Sequence, residues 1–130
     1  AQCIAECIRS LRDGGGREAV RAVATTRYGY DVSETCDEIR RTNRFDVTCQ
    51  VTVPQSIVCF LESTDFEQAV RLAISIGGDS DTIAAMTGSL AEAFYGIPDA
   101  IARQALACLT QEMRDVVIPF IAQRPIQLIR

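Results

Sequence analysis

One segment of this chain, Thr82 to Tyr95, constrains the fold more than any other because it is weakly polar around its whole circumference. Among its side chains only Glu92 carries a charge. A helix with apolar residues on every side is stable only when other helices surround it. The sequence therefore predicts a helix at the centre of a bundle. Within it, Ala84 and Gly88 lie one turn apart and would let a neighbouring helix approach closely.

The rest of the chain also has its apolar residues at helical spacing, with glycine or proline between the segments. Ser33 is a candidate cap, and Pro54 fits the first turn of a helix. Thr64 followed by Glu67 matches a capping box. The helices are predicted at about 3–11, at Arg17 to Tyr28, from Ser33 to Arg41, from Pro54 to Glu62, from Thr64 to the Gly77-Gly78 pair, from Asp79 to Tyr95, from Pro98 onward, and from Gln111 onward with a disturbance at Pro119.

These segments predict a single all-α domain over residues 1–130, a multi-helix orthogonal bundle. The tail from Pro125 to Arg130 is expected to be loosely held. No internal repeat interrupts the pattern.

Composition excludes several classes of function. The net charge is −4, no basic stripe stands out, and no segment approaches 18 consecutive apolar residues, so neither nucleic acid nor membrane is an expected partner. The chain has no histidine, which excludes Ser-His-Asp and Cys-His mechanisms. Its six cysteines form no CxxC pair, which argues against a structural zinc site. We expect them to be mostly buried thiols in a reducing compartment, and the protein to be cytoplasmic.

The run Gly77-Gly78-Asp79-Ser80-Asp81-Thr82 carries the candidate chemistry. Two glycines allow a tight reversal, and four oxygen-bearing side chains then follow within one turn. Carboxylates and a hydroxyl suit a hard cation such as Mg²⁺ or Mn²⁺. Asp and Ser at a helix start are also ordinary caps, worth about 0.5–2 kcal/mol for the cap, and spacing alone leaves both interpretations open.

A wider pattern around this run resembles the C-terminal signature of the ADP-ribosylglycohydrolase family. The resemblance covers roughly residues 1–120. It rests on Gly77 to Ala85, on Gly88 and Ala93 to Gly96, and on the upstream segments Phe45 to Gln50 and Val53 to Leu61.

The resemblance implies metal-dependent hydrolysis of the bond between ADP-ribose and an acceptor. In the family this signature helps to hold two divalent ions, usually Mg²⁺, with Mn²⁺ possible. Asp79, Asp81 and Thr82 would be the metal ligands here, and the two aspartates would serve catalysis. The resemblance also implies that the non-helical run from Asn43 to Gln50 lies near the substrate. Its expected substrate-binding residues are Asp46, Val47, Gln50 and Gly78.

The chain departs from the family in what it lacks. Full members are about twice as long, and their first half supplies further ligands, among them a Thr-Asp-Asp run that does not occur here. Two carboxylates and a hydroxyl are too few to hold two ions about 3.5–4 Å apart. We therefore expect this chain alone to bind metal weakly, to be inactive, and to need a first-half polypeptide.

Two alternatives remain open at this point. The chain could be a non-catalytic helical domain that self-associates as a homo-oligomer or binds a partner through an apolar face. It could also be a lone cation-binding module without chemistry.

Overall fold

The computed structural model describes residues 1–123 and 128–129, and these form an all-α bundle, as the sequence predicts. Its elements in chain order are α1 (Gln2–Arg12), α2 (Arg17–Ala22) continuing as a π-helical turn (Val23–Arg27), α3 (Cys36–Thr42), α4 (Cys49–Glu62), α5 (Phe66–Ser75), α6 (Ser80–Tyr95), β1 (Ile97–Pro98), α7 (Asp99–Ala107), α8 (Gln111–Gln123) and β2 (Leu128–Ile129). No helix within the described ranges is long and apolar enough to cross a membrane.

Helix α6 occupies the centre of the bundle, which confirms the expectation from its weakly polar circumference. It packs against α5, α4 and α1. Its buried residues include Ile83, Leu90 and Ala91, and a fully buried Thr87 donates its hydroxyl to the Ser56 carbonyl of α4 at 3.1 Å. These three helices cover it.

The predicted start of α3 was wrong by two residues. Thr35, not Ser33, is the cap: its hydroxyl accepts the Glu38 amide at 3.2 Å, and the Glu38 carboxylate accepts the Thr35 amide at 2.7 Å. Ser33 instead donates its amide to the Asp31 carboxylate at 2.9 Å, forming a local turn. The capping box satisfies two backbone donors at once, whereas Ser33 has no such reciprocal partner.

The predicted capping box of α5 was displaced by one residue. Asp65 is the cap and accepts the Gln68 amide at 2.8 Å, while the Gln68 side chain accepts the Thr64 amide at 2.5 Å. Glu67 pairs with Arg71 on the helix surface instead. A carboxylate at this position accepts a stronger hydrogen bond than a hydroxyl and complements the helix dipole.

Pro54 does not open α4, contrary to the prediction. The helix begins at Cys49, where the amides of Val51 and Thr52 bond to the Thr48 carbonyl at 3.1 and 2.9 Å. The helix then continues through Pro54, which has no amide to donate to the Gln50 carbonyl and whose ring crowds that carbonyl. Pro119 lies inside α8 in the same way.

Four of the six cysteines are buried, as expected, and all six carry free thiols. Cys49 and Cys108 are exposed. Burial raises the pKa of Cys7 to about 12, so its thiol stays protonated at neutral pH. The sulfurs of Cys36 and Cys59 lie 3.8 Å apart and join α3 to α4 as core contacts.

The C-terminal helices lie at the periphery. Neither α7 nor α8 has a buried residue, and Val116 and Phe120 of α8 are 70% and 63% exposed. Strand β1 pairs with β2 in parallel, a connection that the sequence did not indicate. The prediction for the tail falls outside the described residues, except at Leu128 and Ile129, which form β2.

The central position of α6 gives a stability test. Replacing fully buried Leu90 by alanine should lower the free energy of unfolding by about 2–5 kcal/mol, because the neighbouring helices collapse only partly around the lost volume. Its exposed neighbour Ser89, changed to alanine, should shift that free energy by less than about 0.5 kcal/mol. Urea unfolding of both variants measures the difference, and equal effects would show that α6 is not the core.

Candidate metal-binding turn

The acidic turn lies between α5 and α6, the two helices that pack most closely in the bundle. Helix α5 ends at Ser75, and Gly77 and Gly78 follow with φ of +76° and +70°. Both residues are in the left-handed region, which glycine adopts without strain. The chain then enters α6 with Asp79 at the cap position.

Asp79 occupies the cap position without acting as a side-chain cap. Its carbonyl accepts the Ile83 amide at 3.0 Å, but its carboxylate accepts no backbone amide of the helix. The Asp79 side chain therefore does not cap the helix, which is the role that would explain its position without a cation. The carboxylate is left for another partner.

That partner is Asp81. A hydrogen bond with the Asp79 side chain, together with the backbone amides of Thr82 and of Asp81 itself, lowers the pKa of the Asp81 carboxyl. The lowered pKa favours the ionised form of Asp81, so a negative charge lies beside Asp79 at the exposed start of α6 and would attract a cation.

The turn lies on an open face of the molecule rather than inside a cavity. Asp81 and Thr82 are exposed, and Asp79 is half-buried. Among the described residues, no group of three or more His, Cys, Asp or Glu side chains is arranged to hold a metal. The oxygen ligands present, two carboxylates and one hydroxyl, fit part of the shell of a hard cation and not all of it.

Of the residues expected to bind substrate, Asp46 and Val47 lie on the connection from α3 to α4, Gln50 in the first turn of α4, and Gly78 in the acidic turn. Asp46 accepts a hydrogen bond from the Thr48 amide at 2.7 Å. Hydrogen bonds from the Thr48 side chain and amide lower the pKa of the Asp46 carboxyl. Val47 is 62% exposed. The run from Asn43 to Gln50 was expected to be non-helical throughout, but α4 already begins at Cys49.

Gln50 lines a cavity of about 470 Å³ between α4 and the segment that follows the π-helical turn. Tyr28 and Tyr30 form one wall, and Pro54 and Gln55 form part of the other. The acidic pair does not line this cavity. Gln50 and the expected metal ligands therefore occupy separate features rather than one pocket, whereas Gly78 lies in the same turn as the ligands.

Sequence reasoning missed the residue that joins those features. Asn43, the residue that ends α3, donates its amide to the Ile76 carbonyl at 2.8 Å and accepts from Gln55 at 3.0 Å. It also touches Gly78. In the sequence Asn43 is typical of a turn, and nothing in its neighbours indicates a contact with residues more than thirty positions away.

Comparison with known proteins gives one family and three curated relatives. The ADP-ribosylglycohydrolase family model matches residues 1–128. The ADP-ribosylhydrolases ARH3 of Bos taurus, Homo sapiens and Mus musculus are 32%, 31% and 32% identical over 77 residues. Each alignment covers 51% of this chain and 21% of the relative, so the aligned part is a small share of the relatives' length. No solved structure matches the chain significantly.

The glycine turn gives a matched pair of substitutions. A β-carbon at Gly77 would meet open space, whereas one at Gly78 would lie 2.9 Å from the Asn43 side-chain nitrogen. Changing Gly77 to alanine should cost about 1–2 kcal/mol for the left-handed backbone alone. The same change at Gly78 should cost about 1–3 kcal/mol more, since the Asn43 amide must move. Urea unfolding compares the two variants, and equal losses would contradict the close contact.

Proposed function

The chain belongs to the ADP-ribosylglycohydrolase family, and from that membership we propose that it contributes the metal-binding turn of an enzyme that hydrolyses the bond between ADP-ribose and an acceptor. The observation that carries the proposal is the position of Asp79 and Asp81 at the start of a buried helix, where Asp79 makes no side-chain capping hydrogen bond. Two carboxylates so near in the chain repel each other, and a bound cation would remove that repulsion.

Asp79, Asp81 and Thr82 would hold Mg²⁺, or Mn²⁺ in its place. Their oxygen atoms match the preference of both ions for hard ligands. When bound, the metal would supply Lewis-acid polarisation of oxygen atoms on the substrate and of a water molecule. The partial positive charge of the α6 N-terminus lowers the cost of placing two carboxylates side by side.

The residues of this chain have separate tasks in the proposed reaction. The two carboxylates would also accept hydrogen bonds from hydroxyl groups and from water near the reacting carbon. Gly78 would contact the substrate through its backbone. Asp46 and Val47 would contact it from the connection between α3 and α4, and Gln50 from the first turn of α4.

The proposed enzyme needs more ligands than the described part of this chain offers. Two carboxylates and a hydroxyl do not fill the shell of two ions, and the turn lies on an open face. A first-half polypeptide that covers this face would add ligands and exclude water. We propose that catalysis requires this complement, and that the chain alone binds metal weakly.

The metal site can be tested by calorimetry. Titration of the chain with Mn²⁺ and with Mg²⁺ should give saturable heat, and Asp81→Asn should weaken the affinity by more than about 100-fold, because it removes a direct ligand. Asp13→Asn is a matched control, since Asp13 is an exposed carboxylate that pairs with Arg9 at the end of α1. Equal affinities for the two variants would exclude the proposed ligand.

The activity itself can be tested by adding the proposed complement. The chain mixed with a first-half polypeptide from the family should release ADP-ribose from an ADP-ribosylated peptide in the presence of Mg²⁺. Removal of the metal with EDTA should abolish release, and Asp81→Asn should lower the rate. Release that persists in EDTA would contradict the proposed chemistry.

A second candidate function rests on the exposed apolar face of α8. Met113, Val116 and Phe120 share one side of the helix, and all three are more than half exposed. Contiguous exposed apolar side chains mark contact surfaces on soluble proteins. We propose that this face mediates self-association, with or without catalysis.

Sedimentation of the chain at micromolar concentration tests this candidate. The wild type should sediment as a dimer or larger species, and Phe120→Glu should shift it towards monomer, since the new charge would be buried in the contact. Glu112→Gln, on the same helix and exposed, should leave the distribution unchanged. A wild type that is strictly monomeric would exclude self-association.

A further inference from the structure

The side chain of Asn43 connects three parts of the bundle. It ends α3, it donates to the Ile76 carbonyl at the end of α5, and it accepts from Gln55 in α4. The carbonyl of Ile76 belongs to the residue that directly precedes the glycine pair. One amide group thus contacts the backbone that leads into the acidic turn.

The hydrogen-bond chemistry fixes the orientation of this amide. A backbone carbonyl can only accept, so the nitrogen of Asn43 must face Ile76. The oxygen of Asn43 then faces Gln55, which must present its own nitrogen. The three groups form a directed chain of donors and acceptors that has a single arrangement.

The turn is shaped around the same side chain. A β-carbon at Gly78 would lie 2.9 Å from the Asn43 nitrogen, so the amide fills the space that a larger residue would need. Arg40, one helical turn earlier on α3, adds a second connection, because its guanidinium donates to the carbonyl and the hydroxyl of Ser75 at 3.2 and 2.8 Å. Arg40 contacts the C-terminal end of α5, whereas Asn43 lies against the glycine turn.

We propose that Asn43 is a positioning residue: it holds the backbone from Ile76 to Gly78 in the conformation that places Asp79 and Asp81 at the start of α6. Asn43 also begins the connection that carries Asp46 and Val47, so it fixes the proposed substrate segment against the proposed metal turn. Its effect on metal affinity rests on the proposed function. Its effect on the backbone of the turn does not.

Amide hydrogen exchange tests the positioning directly. The Gly77 amide bonds to the Ile74 carbonyl at 3.3 Å, and the Ile83 amide bonds to the Asp79 carbonyl at 3.0 Å, so both report on the turn. Asn43→Ala should speed the exchange of these two amides by at least about tenfold. Asp65→Ala, which removes the cap at the opposite end of α5, is the matched control, because it destabilises the same helix without touching the turn.

Mn²⁺ titration of the same variants tests the consequence for the ligands. Asn43→Ala should bind Mn²⁺ about 10–100-fold more weakly than Asp65→Ala, which is the usual effect of losing a partner that orients metal ligands. Asn43→Asp, similar in shape but without the donor to Ile76, should behave like Asn43→Ala. Retained exchange protection in Asn43→Ala, or Mn²⁺ affinity equal to that of the control, would overturn the inference.

The two proposals fail in different ways. If the wild type and Asp81→Asn bind Mn²⁺ alike, the proposed metal site is wrong, and the exchange of Gly77 and Ile83 alone decides whether Asn43 holds the turn. If Asp81→Asn loses Mn²⁺ binding while Asn43→Ala keeps it, the metal site stands and the positioning role is wrong.

Discussion

The burial of α6 is the constraint on which the rest of the structure depends. This helix has few polar groups to offer water, so α1, α4 and α5 must cover it. The polar groups that it does carry inside are paired: Thr87 bonds to the Ser56 carbonyl, and buried Glu92 forms an ion pair with Arg12 at 2.9 Å. Satisfied in this way, they join α6 to α4 and α1 without the cost of an unpaired buried group.

The position of α6 also determines where chemistry can occur. The N-terminus of this buried helix lies at the surface, directly after the Gly77-Gly78 turn. The dipole of a 16-residue helix concentrates positive potential at that point. Two acidic side chains placed there are held by a rigid element whose other end is anchored in the core.

The general features of the fold were predictable because they depend on local patterns. Apolar residues at helical spacing gave all eight helices of the described part of the chain, and the glycine pair gave the end of α5. The predicted helix starts were wrong where two neighbouring residues, or two positions in a helix, suit the same residue type. Thr35 and Ser33 both offer a hydroxyl before α3, and only Thr35 has a glutamate three residues later that can return a hydrogen bond. Pro54 can start a helix or lie in its second turn, and the choice depends on what precedes it.

The sequence by itself determined the family, the all-α class and the identity of the acidic turn, because those follow from residue types and their spacing along the chain. The tertiary structure alone decided how that turn is held. It left Asp79 without a capping hydrogen bond, and it set the amide of Asn43 against Gly78 and Ile76. Contacts between residues so far apart in the chain depend on how α3, α4 and α5 pack around α6, and no local pattern specifies that geometry.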